Sequence, residues 1–178
     1  PNQDIRPDNI QPDLAVIHHI SLPPGEFRKQ DSSGYIVDFF QNKLDPNQHP
    51  YFAEIADQKV SSHFLITRSG SLVQFVSTRK KAWHAGVSEF LGREKCNDFS
   101  IGIELEGDGD TPFEVAQYQA LTNLIQKLTS TYPDLQFAGH SDIAPERKTD
   151  PGINFDWKKF QKETGISAKK LPFGLDSR

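Results

Sequence analysis

The run "LAVIHHI", Leu14 to Ile20, limits the fold more than any other stretch of the chain. Its apolar residues stand at consecutive positions, so it reads as a buried strand. Its end holds His18 beside His19. Successive strand side chains point to opposite faces, so this pair does not easily bind one metal together.

The rest of the chain mixes helices and strands. "SLPPGEF" breaks the first strand with paired prolines. Ile36, Phe39, Phe40 and Leu44 recur at nearly helical spacing. "DPNQHPYF" reads as a Pro-rich loop that "AEIADQKV" continues. "SHFLIT" and "LVQFV" flank "RSGS", a hairpin signal with Gly70 free to take a positive φ. Trp83 to Arg93 reads as a loop, and "SIGIELEG" alternates as a strand.

Thr111 and Pro112 then look like the cap and first residue of a long amphipathic helix. Val115, Tyr118, Leu121, Leu124, Ile125 and Leu128 line one side of it, and Pro133 stops it. "QFAGH" is a short strand, and a last helix runs around Phe155 to Glu163. The predicted class is α/β: a single domain, residues 1–178, with a central mixed β-sheet flanked by α-helices. Its core spans about residues 6–165, and "AKKLPFGLDSR" forms a loosely held C-terminal tail.

Composition narrows the partners. The net charge of −4 argues against nucleic acid. No apolar run is long enough to cross a bilayer. Cys96 is the single cysteine, so an intrachain disulfide is excluded and a reducing compartment is favoured. The chain starts at Pro1 and holds no methionine, so a removed signal upstream stays open.

The richest loop is "GHSDIAPERKTDPG", with His140, Asp142, Glu146, Lys148 and Asp150 stiffened by Pro145 and Pro151. His18 and His140 both fall near the carboxyl ends of strands, where sites gather in open α/β sheets. Two histidines and a carboxylate with an open fourth position form a catalytic zinc set. That set is His18 or His19, with His140 and Asp150. The plainer readings are a backbone-bonded Asp150 in a "TDPG" turn and a hydrogen-bonded His140 at a strand end.

In "SIGIELEG", Gly102, Glu104 and Glu106 share one strand face, and Gly102 leaves room for a crevice. Spacing does not choose between the two glutamates. Trp83 in "AWHAG" either stacks on a sugar ring or packs in the core, and His84 either lines a site or caps a turn. His63 reads mainly as a satisfied, partly buried histidine and otherwise as a substrate contact. His49 has no evident partner.

These segments carry a family resemblance. "VIHHISLPPGEF", "DPNQHPYF", "AWHAGVS", "REKCNDFSIGIELEG" and "GHSDIAPERKTDPG" together resemble the AmpD-type N-acetylmuramoyl-L-alanine amidases. That group belongs to the zinc amidase superfamily with phage-lysozyme-type amidases and peptidoglycan recognition proteins. The resemblance implies one Zn2+ held by His18, His140 and Asp150, with Glu104 as base and Lys148 as a catalytic lysine. It also implies hydrolysis of the amide between N-acetylmuramic acid, in its 1,6-anhydro form, and L-alanine of the stem peptide.

A cytoplasmic bacterial monomer acting in cell-wall recycling follows from the same resemblance, with a soluble muropeptide as partner and neither nucleic acid nor membrane. His19, His63, Trp83 and His84 are the expected substrate contacts. His19 departs from the asparagine frequent in the AmpD-type pattern. Ser62 stands where other branches carry a catalytic tyrosine. The alternatives are an extracytoplasmic amidase acting on intact wall and a non-catalytic peptidoglycan-binding module of the same fold.

Overall fold

The computed structural model describes residues 1–27 and 32–176. In chain order it contains β1 (Gln3–Ile5), β2 (Leu14–Ile20), α1 (Ser32–Phe40), α2 (Pro50–Ile55), β3 (Phe64–Ile66), β4 (Leu72–Gln74) and β5 (Lys80–Ala82). There follow β6 (Glu89–Phe90), β7 (Arg93–Glu94), β8 (Ser100–Glu106), α3 (Val115–Thr131), β9 (Gln136–Gly139), α4 (His140–Ile143) and α5 (Trp157–Thr164).

The central sheet has the order β4-β3-β8-β2-β9. β8 and β9 both pair parallel to β2, β3 pairs parallel to β8, and β4 closes the edge as an antiparallel hairpin. This is the expected mixed sheet. Gly70 turns the hairpin at φ +83, where L side chains are strained.

The two central strands sort their side chains by parity. Ala15, Ile17, Ile101, Ile103 and Leu105 leave one face and pack against Leu121, Ile125 and Leu128 of α3 and Trp157 and Phe160 of α5. This face is apolar up to His19 at the carboxyl end of β2, so it forms the larger core. The opposite face begins apolar with Leu14 and Val16, which pack with Phe90, Phe99 and Ala138. It turns polar at the carboxyl end, with His18 and Glu104. α1 and α2 cover the nearby edge through Phe39, Phe40 and Phe52.

Several local expectations are corrected. α2 starts inside the "DPNQHPYF" segment and runs on into "AEIADQKV". His49 caps it, its Nδ1 accepting from the Tyr51 N–H at 3.1 Å, with Pro50 as the first helical residue. α3 begins at Val115, later than Thr111–Pro112 suggests, because Glu114 and Gln117 form its capping box. The Thr111 N–H instead donates to Asp108 Oδ1 at 2.7 Å in a local turn.

The loop from Trp83 to Arg93 carries the small β6–β7 pair. The N-terminal residues also belong to the fold, since β1 pairs antiparallel with β5. The segment read as a loose tail is held down. Leu171 is buried in the main core and Phe173 packs on Phe90, because burying these apolar side chains outweighs chain freedom. Its last two residues lie outside the described residues. No helix among the described residues is long and apolar enough to cross a membrane.

Candidate metal centre

Three separate chain segments converge at the carboxyl ends of β2 and β9. β2 delivers His18, the start of α4 delivers His140, and the following loop brings back Asp150. The loop is tied to α4 by the Ser141 N–H, which donates to the Asp150 carbonyl at 2.8 Å. His18 Nδ1 lies 2.8 Å from Asp150 Oδ2, and His140 Nδ1 lies 3.1 Å from the same oxygen. The two Nδ1 atoms are 3.0 Å apart. All three side chains are buried.

The hydrogen positions test whether this group suits a cation. His140 Nε2 lies 3.1 Å from the Ala85 carbonyl, which only accepts. The hydrogen of the neutral ring therefore sits on Nε2, and Nδ1 presents a lone pair. Asp150 Oδ2 presents lone pairs as well. At most one hydrogen fits among three atoms this close, and none is left there when the His18 hydrogen sits on Nε2, which has His84 Nδ1 at 2.9 Å. Two imidazole nitrogens and a carboxylate oxygen, opening onto a cavity, match the donor set of a catalytic zinc site. The residues present fit the ion.

The electrostatics agree. Burial, and next the neighbouring His140, lowers the His18 pKa to about 4, so this ring is neutral and able to ligate. Burial pushes Asp150 up, but the two histidine rings against its Oδ2, His140 and His18, overcome it and hold the carboxyl well below the usual range.

A cavity of about 340 Å³ opens beside the group, with His18, His19, Trp83, Glu104, Lys148 and Asp150 in its wall. Glu104 is buried, and its Oε2 has no hydrogen-bond partner among the described residues. Burial raises its pKa well above the ordinary value, the charge of Asp150 adds to this, and Lys148 opposes it. Glu106 differs. Its Oε2 accepts from the Arg68 N–H at 2.8 Å, and it is absent from the cavity wall. The structure thus separates two glutamates that spacing left equal.

The four expected substrate contacts fare unequally. His19 and Trp83 line the cavity. His19 lies against Gly109, outside the group of three. The Trp83 Nε1–H donates to Asp4 Oδ2 at 2.8 Å, which fixes the indole. His84 reaches the wall, but both its ring nitrogens bond within the protein, to His18 and Ser100. His63 is corrected: it is fully buried and absent from the wall. It lies just before β3, its Nδ1 accepts from the Gly102 N–H at 3.0 Å, and its ring packs on that of His84.

The crevice predicted beside Gly102 exists, but the His84 ring fills it. A Cβ on Gly102 would stand 2.5 Å from that ring. Sequence reasoning missed Asn97 and Arg147, which hold the backbone of His84 and Ala85, and Ser100, whose Oγ meets the His84 ring. Nothing in their spacing marks them.

Fold and centre together define an α/β protein with a His-His-carboxylate group that could hold a metal ion at the carboxyl ends of its strands. The family described as N-acetylmuramoyl-L-alanine amidase matches residues 8–153, and the chain belongs to that family. It is 53% identical over 163 residues to the 1,6-anhydro-N-acetylmuramyl-L-alanine amidase AmpD of Escherichia coli (strain K12), covering 90% of this chain and 87% of that one. A crystal structure of selenomethionine AmpD superposes with a TM-score of 0.87 at 52% identity, covering 92% of this chain and 90% of that chain. Escherichia coli AmiD, solved with its substrate anhydro-N-acetylmuramic acid-L-Ala-D-gamma-Glu-L-Lys, gives a TM-score of 0.63 at 32% identity. That match covers 92% of this chain and 62% of that chain.

Proposed function

We propose that the chain hydrolyses the amide joining 1,6-anhydro-N-acetylmuramic acid to L-alanine of the stem peptide, using Zn2+ held by His18, His140 and Asp150. The observation that carries this reading is the convergence of three lone-pair atoms in one cavity with Glu104 and Lys148. The identity to AmpD supplies the substrate class. When bound, zinc supplies a Lewis acid that makes water nucleophilic near neutral pH.

The chain's own groups do the rest. Glu104 takes a proton from the attacking water as its oxygen bonds the amide carbon. It then gives that proton to the leaving L-alanine nitrogen as the carbon–nitrogen bond breaks. A carboxyl whose pKa is raised by burial suits the donating half of this cycle. Lys148 supplies positive charge to the oxyanion of the tetrahedral intermediate. Trp83 and His19 contact the substrate from the wall.

The unit is one amidase domain over residues 1–178, acting as a monomer on soluble muropeptides in the bacterial cytoplasm during cell-wall recycling. Near-full-length similarity to the AmpD enzymes supports this setting. A side-by-side hydrolysis assay tests it, using anhydro-muropeptide and intact sacculi, each with chelated and zinc-restored controls. Release of peptide from the soluble substrate, lost on chelation and regained with zinc, is the expected result. Preferential attack on sacculi would point to a wall-directed amidase. Zinc binding without any release would mean a binding module.

A further inference from the structure

One dipeptide touches both histidines of the centre. The Ala85 carbonyl accepts from His140 Nε2 at 3.1 Å and from Arg147 Nη2 at 2.7 Å. Beside it, His84 Nδ1 lies 2.9 Å from His18 Nε2, and His84 Nε2 lies 3.0 Å from Ser100 Oγ. The dipeptide is itself pinned. Asn97 Oδ1 accepts from both the His84 N–H, at 3.1 Å, and the Ala85 N–H, at 2.8 Å. Arg6 in turn grips the carbonyls of Asn97, Asp98 and Ser100. Gly102 leaves the space in which the His84 ring lies.

The tautomers follow from this wiring. For His18 Nδ1 to offer a lone pair to a metal, the ring hydrogen must sit on Nε2. That hydrogen needs an acceptor 2.9 Å away, which is His84 Nδ1. His84 then carries its own hydrogen on Nε2 and donates it to Ser100 Oγ. Outer partners of this kind fix the orientation and tautomer of metal-ligating histidines.

We infer that His84 is a positioning residue for the metal centre: its Nδ1 accepts from His18 Nε2–H and thereby aims the His18 Nδ1 lone pair at the ion. Ala85 does the same for His140 through its carbonyl. His84 thus acts on the metal through His18, not on the substrate. The inference rests on the zinc reading above.

The test compares zinc affinity, by competition with a chromophoric chelator, in the wild type, His84→Asn and His84→Phe. Asparagine puts an accepting Oδ1 near the place of Nδ1, whereas phenylalanine keeps a ring and accepts nothing. His84→Phe is expected to lose about 10–100-fold in zinc affinity, the usual cost of removing an outer partner. His84→Asn should stay near the wild type. Equal losses in both variants, or none in His84→Phe, overturn the inference. A measurement on the wild type decides even where a variant fails to fold: the 15N–15N coupling across the His18–His84 hydrogen bond in the zinc-loaded protein. Its presence supports the relay and its absence overturns it. A wild type that binds no zinc refutes the metal reading itself, whereas intact zinc binding with no dependence on His84 refutes only the relay.

Discussion

His18 and Glu104 are register partners on adjacent parallel strands, so both side chains leave the same face of the sheet. This pairing sets the proposed base beside the proposed ligand on two central strands of the sheet, with both side chains buried. Neither residue depends on a mobile loop for its place. Glu104→Gln keeps the shape and removes the proton carrier. The variant should hold zinc and fold as the wild type while turnover falls by about 10²–10⁴, the usual share of a general acid–base. Steady-state kinetics with metal analysis check this, and an E104Q enzyme at full rate removes Glu104 from the mechanism.

Lys148 and Asp150 lie two residues apart and should respond in opposite ways. Lys148→Ala should keep its metal and lose about 10²–10³ in turnover, the typical cost of one oxyanion partner. Asp150→Ala should lose the metal itself, since one oxygen serves both histidines. The measurement is zinc content after dialysis together with the turnover of whatever remains loaded. A K148A enzyme with normal turnover, or a D150A protein with full zinc, breaks the assignment.

The adjacent histidines give a sharper asymmetry. Strand alternation turns His18 toward Asp150 and His140 and leaves His19 against Gly109. His18→Ala should abolish zinc binding. His19→Asn should leave zinc in place and change only the KM for the anhydro-muropeptide. Isothermal titration with zinc and a KM series on both variants separate the outcomes. Zinc loss in H19N alone would reverse the choice.

Much of this site was legible because strand parity is local. Alternation in "VIHHIS" and "SIGIELEG" says which residues share a face, and register then joins the two faces. The resemblance chose His18 over His19 and Glu104 over Glu106, and the geometry separates both pairs. What stayed illegible depends on distant segments. Asn97 and Arg6 act through backbone atoms of residues far along the chain and Ser100 through the ring of His84, and such bonds leave no spacing pattern. His63 was misplaced as a contact for the same reason, since its partners Gly102 and Lys80 come from other strands. The start of α3 was missed because a capping box at Glu114 competes with a plausible Thr-Pro signal.

The buried histidines also fix how the metal-free protein responds to acid. Burial lowers His63 to about 3 and His18 to about 4, and lowers His84 well below its ordinary value. An unfolded histidine titrates near 6.5. Below that pH the unfolded chain takes up protons that the folded chain refuses, so their contribution is complete above 6.5 and is lost as pH falls. Glu104 works the other way. Its raised pKa makes the folded state hold a proton longer than the unfolded one, which favours folding toward low pH. Four lowered histidines, His19 among them, outweigh the one raised glutamate, so acid costs stability below 6.5, at ~1.4 kcal/mol per pH unit for each net proton. For a chain of 178 residues each such proton corresponds to a Tm fall of about 3–5 °C per unit. Calorimetry on chelated protein between pH 7.5 and 5.5 should show a nearly level Tm above 6.5 and a steep fall below it. A Tm that stays flat to pH 5.5 would mean that these rings are not held neutral.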